Sequence, residues 1–340
     1  MKRRKFTSNV ILGSTSLFFK SHFVDAKDEG IHNLYDQLKS NRYLGKVKIE
    51  TTIADTEVFT EGPAVDQEGN VYFTNVRAEK ILKWMPGEKR LIEFRIGSNE
   101  ANGLRFRPDG HLLICEGGIG AITILNPVTG ERKILVDRFN DKKIQSPNDL
   151  DIDSKGRIYF SSRSNQPDLE KENKRALYRL DPDGQITQLL SEPEIDMPNG
   201  VVISPDEKTL YLIEAHSGEN FNRCILAFDL HSDGSISNRR TLIDFYPGRS
   251  GDGMCIDQEG NLYVAAGLHK TRGSSETLDT RPGIHVISPK GQLLAFRETP
   301  VDTITNCTFG GKHLKTLYIS CGIYLLSIKT KIPGKSYYRL

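Results

Sequence analysis

The sequence predicts an all-β protein: a six-bladed β-propeller with four antiparallel strands in each blade, the ring closed by an N-terminal strand. Three observations carry this expectation. One unit, made of a polar residue, a short apolar strand, a tight turn and a second strand, recurs six times. A further hairpin follows it in five of the six copies. The last copy is one strand short, and an apolar strand stands unused near the start of the chain. A repeat of this period is the signature of stacked supersecondary units rather than of a sandwich or a barrel.

The copies begin at Glu61, Asn102, Asn148, Asn199, Asp252 and Asn306, separated by 41, 46, 51, 53 and 54 residues. The turns follow at Glu68-Gly69, Asp109-Gly110, Lys155-Gly156, Asp206-Glu207, Glu259-Gly260 and Gly310-Gly311, pairs that tolerate the positive φ of hairpin turns. The second strands start Val71-Tyr-Phe, Leu112-Leu-Ile, Ile158-Tyr-Phe, Leu210-Tyr-Leu, Leu262-Tyr-Val and Leu317-Tyr-Ile, with β-branched and aromatic residues in alternation. Outer turns fall at Pro86-Gly87, Thr129-Gly130, Asp183-Gly184, Asp233-Gly234 and Lys290-Gly291. The sixth copy has one strand after its hairpin, near Tyr324 to Ile328, and Val47 to Ile53 can supply the fourth, which removes the open edge. The domain expectation is an export signal over 1–26, a linker over 27–46 and the propeller over 47–340.

With 340 residues, 37% of them hydrophobic and 26% charged, the chain can bury a core. The formal charge of +2 comes from the N-terminus: residues 1–26 hold Lys2, Arg3, Arg4, Lys5 and Lys20 against Asp25 alone. The remaining 41 basic and 43 acidic side chains leave −2, so no nucleic-acid partner is expected. Lys2 to Lys5, the apolar stretch Val10 to Phe19 and Val24-Asp-Ala26 stand in the order of a cleavable export signal. Arg3-Arg4-Lys5-Phe6 is similar to a twin-arginine signal. The expectation is a protein of the bacterial periplasm, a monomer, with no membrane span in the mature chain. Five cysteines form no CxxC pair, and an odd count leaves at least one free thiol. Whether Cys307 and Cys321, facing across the sixth hairpin, are bridged is left open.

Each polar residue that opens a unit precedes the innermost strand, so six such anchors converge on one mouth of the central channel. They are two acids and four amides, with no sulfur or imidazole. Hard oxygen donors of this kind suit Ca²⁺, with Mg²⁺, Mn²⁺ or Zn²⁺ as alternatives. A turn-only account explains Asn-Gly and Asp-Gly, but it would equally accept Ser, Gly or Lys. The second strand returns to the same mouth and brings Asn75, Glu116, Arg163, His216, His269 and Lys270 as candidates to hold a polar substrate.

Ser146-Pro-Asn-Asp-Leu, Asp252-Gly-Met-Cys-Ile-Asp and Thr305-Asn-Cys-Thr-Phe-Gly-Gly resemble the third, fifth and sixth blade motifs of the gluconolactonase / senescence marker protein (regucalcin) family. The resemblance runs from about Glu61 to the C-terminus. It implies one divalent metal on Glu61, Asn199 and Asp252, with Asn148 reaching the metal and the substrate. It implies that Asp252 doubles as general base, and that a small-molecule lactone, a sugar lactone first of all, is hydrolysed. Asn102 and Asn306, with Glu116, Arg163 and His216, complete the candidate substrate contacts. Two departures touch the substrate side: Ser161-Ser162-Arg163 replaces a Thr-Asp-Pro stretch, and Ser146 stands where regucalcins carry arginine.

Two other functions stay open at this point: a phosphotriesterase of the diisopropyl fluorophosphatase type, and a non-catalytic binding propeller. Other motifs fail. Asp149-x-Asp151-x-Asp153 opens like an EF-hand loop, but Ser154 and Phe160 occupy its Gly and Glu positions. No GxSxG elbow is present.

Overall fold

The computed structural model describes residues 34–164 and 168–337. The expected export signal lies outside them. No helix among the described residues is long and apolar enough to cross a membrane.

Six four-stranded antiparallel sheets form the blades. From the channel outward, blade one is Thr60–Val65, Val71–Asn75, Lys80–Met85 and Arg90–Ile96. The innermost strands of blades two to six are Ala101–Phe106, Pro147–Ile152, Pro198–Ile203, Gly251–Ile256 and Ile304–Gly310. The sixth blade takes its outermost strand, Leu44–Thr52, from the N-terminal side, paired antiparallel with Tyr324–Thr330. The propeller and its closure are therefore as the repeat predicts, with the closing strand starting three residues earlier than expected.

Alternation puts one face of each blade against the next. Ala64, Tyr72 and Ile81 of blade one pack on Leu104, Phe106, Leu112 and Ile114 of blade two. The same layer recurs where Val202, Tyr211 and Ile213 meet Met254, Ile256 and Val264. Residues 34–43, read as part of a linker, lie against blade five. Tyr35 Oη is 3.0 Å from His285 Nε2, the Tyr35 ring sits edge-on to Phe296, and the Phe296 N–H donates to Ser40 Oγ at 3.0 Å.

The innermost strands share one irregularity. In all six blades the pairing register slips at the anchor, as between Glu61 and Ala64, Pro198 and Val201, or Gly251 and Met254. A bulge adds twist and re-aims a side chain. Here it turns the anchor toward the channel. The residue after the anchor then abuts the next blade. A Cβ on Gly62, whose φ is +43°, would lie 2.1 Å from the Asn102 carbonyl oxygen, and one on Gly253 would strike Asn306 Cγ at 2.1 Å. The Asn-Gly and Asp-Gly pairs thus do two jobs: glycine lets the blades close, and the anchor faces the axis.

At the opposite end the C-terminal segment crosses the channel. Lys335 N–H donates to the Ile256 carbonyl at 2.9 Å, and Tyr337 stacks on the Arg105 guanidinium at 4.5 Å. Arg105 in turn lies 3.5 Å from Asp151.

Candidate metal centre and active site

The anchors that carry charge meet at the mouth. Asn199 Nδ2 donates to Asp252 Oδ1 at 2.6 Å, across the junction of blades four and five. Glu61 is 2% exposed, and the Gly62 N–H is its hydrogen-bond donor, at 3.2 Å. Burial first, and then the negative charges of Asp252 and Asp149, push the Glu61 carboxyl well above the usual carboxylate range. Glu61 and Asp252 come from non-adjacent blades, yet they sense each other across the channel.

Two residues that the repeat does not single out complete this centre. Arg249 is 8% exposed and donates from Nη2 to Asp252 Oδ2 at 2.5 Å. Its Nη1 is held by the carbonyls of Ile304 and Gly267, at 3.1 and 3.3 Å. Asp149 follows the third anchor, at a position that is glycine in blades one, two, four and five. Its Oδ2 accepts a 3.2 Å bond from Asn306 Nδ2 across the channel. Burial raises the Asp149 carboxyl to about 6, against the pull of Arg105. Asp149 shows in the sequence as the one acid in a column otherwise of glycine and, in blade six, Cys307; nothing there marks Arg249.

These residues fit a hard divalent cation. Glu61 is buried within reach of the negative charge of Asp252 and Asp149, and of the three only Asp252 has an ion-paired arginine, Arg249. A bound cation would relieve the repulsion that raises Glu61, and carboxylates with amide carbonyls are its preferred donors. Among the described residues no cluster of three or more His, Cys, Asp and Glu side chains forms a metal site, so the centre depends on the amides.

The candidate substrate contacts divide. Asn148 and Arg163 line one polar cleft at the mouth, between blades two and three. Arg163 N–H donates to the Ser146 carbonyl at 3.0 Å, so the two positions where the chain departs from the family pattern are direct neighbours. Asn102 is half-buried beside the channel, and its carbonyl accepts from Thr74 Oγ1 at 3.1 Å. Asn306 belongs below the mouth, on Asp149.

Glu116 is corrected. It is fully buried, and its two oxygens accept Arg132 Nε at 2.6 Å, Thr123 Oγ1 at 2.9 Å, Asn99 Nδ2 at 2.7 Å and Arg132 Nη2, which leaves nothing to offer a substrate. His216 is also displaced from the channel. Its ring stacks on Phe221 at 3.7 Å, Nδ1 accepts the Gly218 N–H at 2.9 Å, and burial with Arg175 nearby lowers its pKa.

The reason for both is register. The last paired residues of the second strands are Asn75, Glu116, Ser162, Glu214, Ala266 and Cys321 in blades one to six. A slip of one residue reverses the side chain. The polar members of this set turn into their own blade and tie down the preceding loop: Asn75 Oδ1 accepts from Phe59 N–H at 2.9 Å, and Glu214 Oε2 accepts from Asp196 and Met197 N–H at 2.7 and 3.0 Å. Arg163 lies one position later and escapes to the cleft.

All five cysteines are free and buried. Cys307 Sγ approaches Cys255 at 3.5 Å, whereas Cys321 donates to the Val301 carbonyl, so the pair considered from the sequence does not form.

Residues 59–322 match the family profile described as SMP-30/Gluconolactonase/LRE-like region. The chain is 29% identical over 313 residues to a gluconolactonase of Zymomonas mobilis, covering 84% of this chain and 82% of the relative. It is 28% identical to regucalcin of Xenopus laevis, covering 82% and 87%. Among solved structures it superposes on a gluconolactonase of Xanthomonas campestris with a TM-score of 0.71 and 27% identity, over 86% of this chain and 93% of that one. By the profile match, the repeat and the ring of anchors, the chain belongs to the SMP-30/gluconolactonase/LRE-like family.

Proposed function

We propose that this protein is a lactonase that opens a sugar lactone at the anchor mouth, with one divalent cation, Ca²⁺ first, held by Glu61, Asn199 and Asp252 and approached by Asn148. The observation that supports it most is the buried, mutually repelling pair Glu61 and Asp252 beside the Asn199 amide. A cation bound there supplies Lewis-acid polarisation of the lactone carbonyl.

The chain's own groups then have distinct tasks. Asn148 orients the substrate from the cleft side. Asp252 is the base: it takes a proton from water as the water oxygen bonds to the carbonyl carbon. Asn199 and Arg249 each donate to one Asp252 oxygen, which fixes the carboxylate plane and leaves lone pairs free for that proton. The acyl C–O bond breaks, the proton passes to the departing ring oxygen, and a hydroxy acid results. No covalent enzyme intermediate is required, because a lactone is already an activated ester. Export by residues 1–26, through a twin-arginine route to a periplasm, is part of the same reading.

The test is acid release followed by pH-stat on gluconolactone, with chelator and then with Ca²⁺ restored, beside a phosphotriester. Cation-dependent opening of the lactone supports the proposal. Turnover of the phosphotriester alone, or indifference to chelator, would refute it.

A further inference from the structure

We propose that Arg163 is a specificity-determining residue that selects lactones carrying a second, anionic group, a carboxylate or a phosphate. This rests on the lactonase reading and names the substrate class of the same site.

Arg163 lines a cleft of about 610 Å³ beside Asn148. It is half-buried, and among the described residues its guanidinium has neither an ion pair nor a hydrogen bond. By contrast Arg175 and Arg179 of the same blade, Arg132 of blade two and Arg249 at the mouth each hold a carboxylate. Arg163 is felt by Glu61 only as a through-space charge, with no ion pair between them. A divalent cation held by Glu61 would take over that carboxylate and leave the Arg163 donor fork to the cleft.

The same cleft wall offers an unmatched acceptor. Gln145 is 1% exposed; its Nε2 donates to the Asn173 carbonyl at 2.7 Å, while Oε1 is buried without a partner. A buried lone acceptor is costly unless a ligand supplies the donor. Neither acid on this wall forms an ion pair with Arg163: Glu172 Oε2 accepts the Asp168 N–H at 3.1 Å, and Glu100 is exposed. A hydroxyl for Gln145 and an anionic group for Arg163 together describe an oxidised or phosphorylated sugar lactone. Planar bidentate pairing is what a guanidinium does best with either anion.

The experiment compares kcat/KM of the Ca²⁺-loaded protein for neutral gluconolactone, the monolactone of glucaric acid and a phosphorylated gluconolactone, in wild type, Arg163→Gln and Arg163→Lys. The expected result is that Arg163→Gln loses about tenfold to a hundredfold on the anion it serves. The loss on neutral gluconolactone is at least fivefold smaller, and Arg163→Lys recovers part of the difference. Carboxylate and phosphate are separated by which substrate shows the loss. An equal loss on all three lactones overturns the proposal. Should no lactone be opened, the lactonase reading fails, and calorimetry decides the inference independently. Wild type must then bind glucarate at least tenfold tighter than gluconate, with Arg163→Gln abolishing the difference; equal affinities refute it.

Discussion

Replacing Glu61 by Gln separates the cost of the cation site from its benefit. Glu61 sits almost wholly out of water, with Asp252 and Asp149 repelling it and one backbone N–H supporting it. Its folded-state pKa is raised, so the protonated form favours folding. That contribution is complete below the unfolded value of about 4.3 and is lost as pH rises through the folded value. At neutral pH the cation-free protein therefore carries a strained or protonated carboxyl, and an isosteric amide removes the strain. A buried polar group of this kind costs about 1–3 kcal/mol. For a chain of this size 1 kcal/mol moves Tm by about 2 °C, so chelated Glu61→Gln melts about 2–6 °C above chelated wild type at pH 7. With Ca²⁺ the gap closes. A hundredfold excess over Kd stabilises wild type by about 2.7 kcal/mol, near 5 °C, and the variant shows almost none of it. Scanning calorimetry with chelator and with Ca²⁺ measures all four states. If the chelated variant melts lower than wild type and still responds to Ca²⁺, the assignment of Glu61 to the cation is wrong.

Other expectations follow from the same contacts. Asp252→Asn keeps the shape but removes the base, and lactone turnover falls by about a hundredfold or more while circular dichroism stays native; near-normal turnover defeats the assignment. Glu116→Gln leaves Arg132 unpaired and lowers stability by about 3 kcal/mol, read by urea denaturation, with KM unchanged; a KM effect without loss of stability would restore Glu116 to the substrate. Glu214 is raised to about 7 by burial, with one oxygen unpartnered, so its protonated form supports folding below the unfolded value and that support is lost as pH rises through 7. Glu214→Gln should accordingly flatten the decline of Tm between pH 6 and pH 8, each pH being about one unit either side of the folded value, and an unchanged slope would show that Glu214 is not the titrating group.

The fold was legible because six copies of one pattern leave few architectures able to bury it, and because the turn dipeptides fall where hairpins need them. The anchors were legible for a sharper reason. An acid or amide before glycine, at a constant offset, is what a bulged strand beside a close neighbour demands. The second ring of residues was not legible, because its reading depends on strand register to a single position. Glu116 and Arg163 both end a second strand in sequence, yet one turns into its blade and the other into the cleft. Arg249 was hidden because its partners, the carbonyls of Gly267 and Ile304, are brought to it by tertiary closure alone. The pairing of Cys307 with Cys321, open in the sequence, is decided by tertiary placement as well: Cys307 faces the adjacent blade, where Cys255 lies, rather than its own hairpin.

The pairing of Leu44 with Thr330 sets the order of assembly. The strand Leu44–Thr52 is made long before its place exists, because its partner follows nearly three hundred residues later. Until then it must stay unpaired while the intervening sheets stack, a connectivity of high contact order that slows folding. A folding rate dominated by docking of that single strand, quickened in a circular permutant that joins it directly after Thr330, is the kinetic signature this architecture carries.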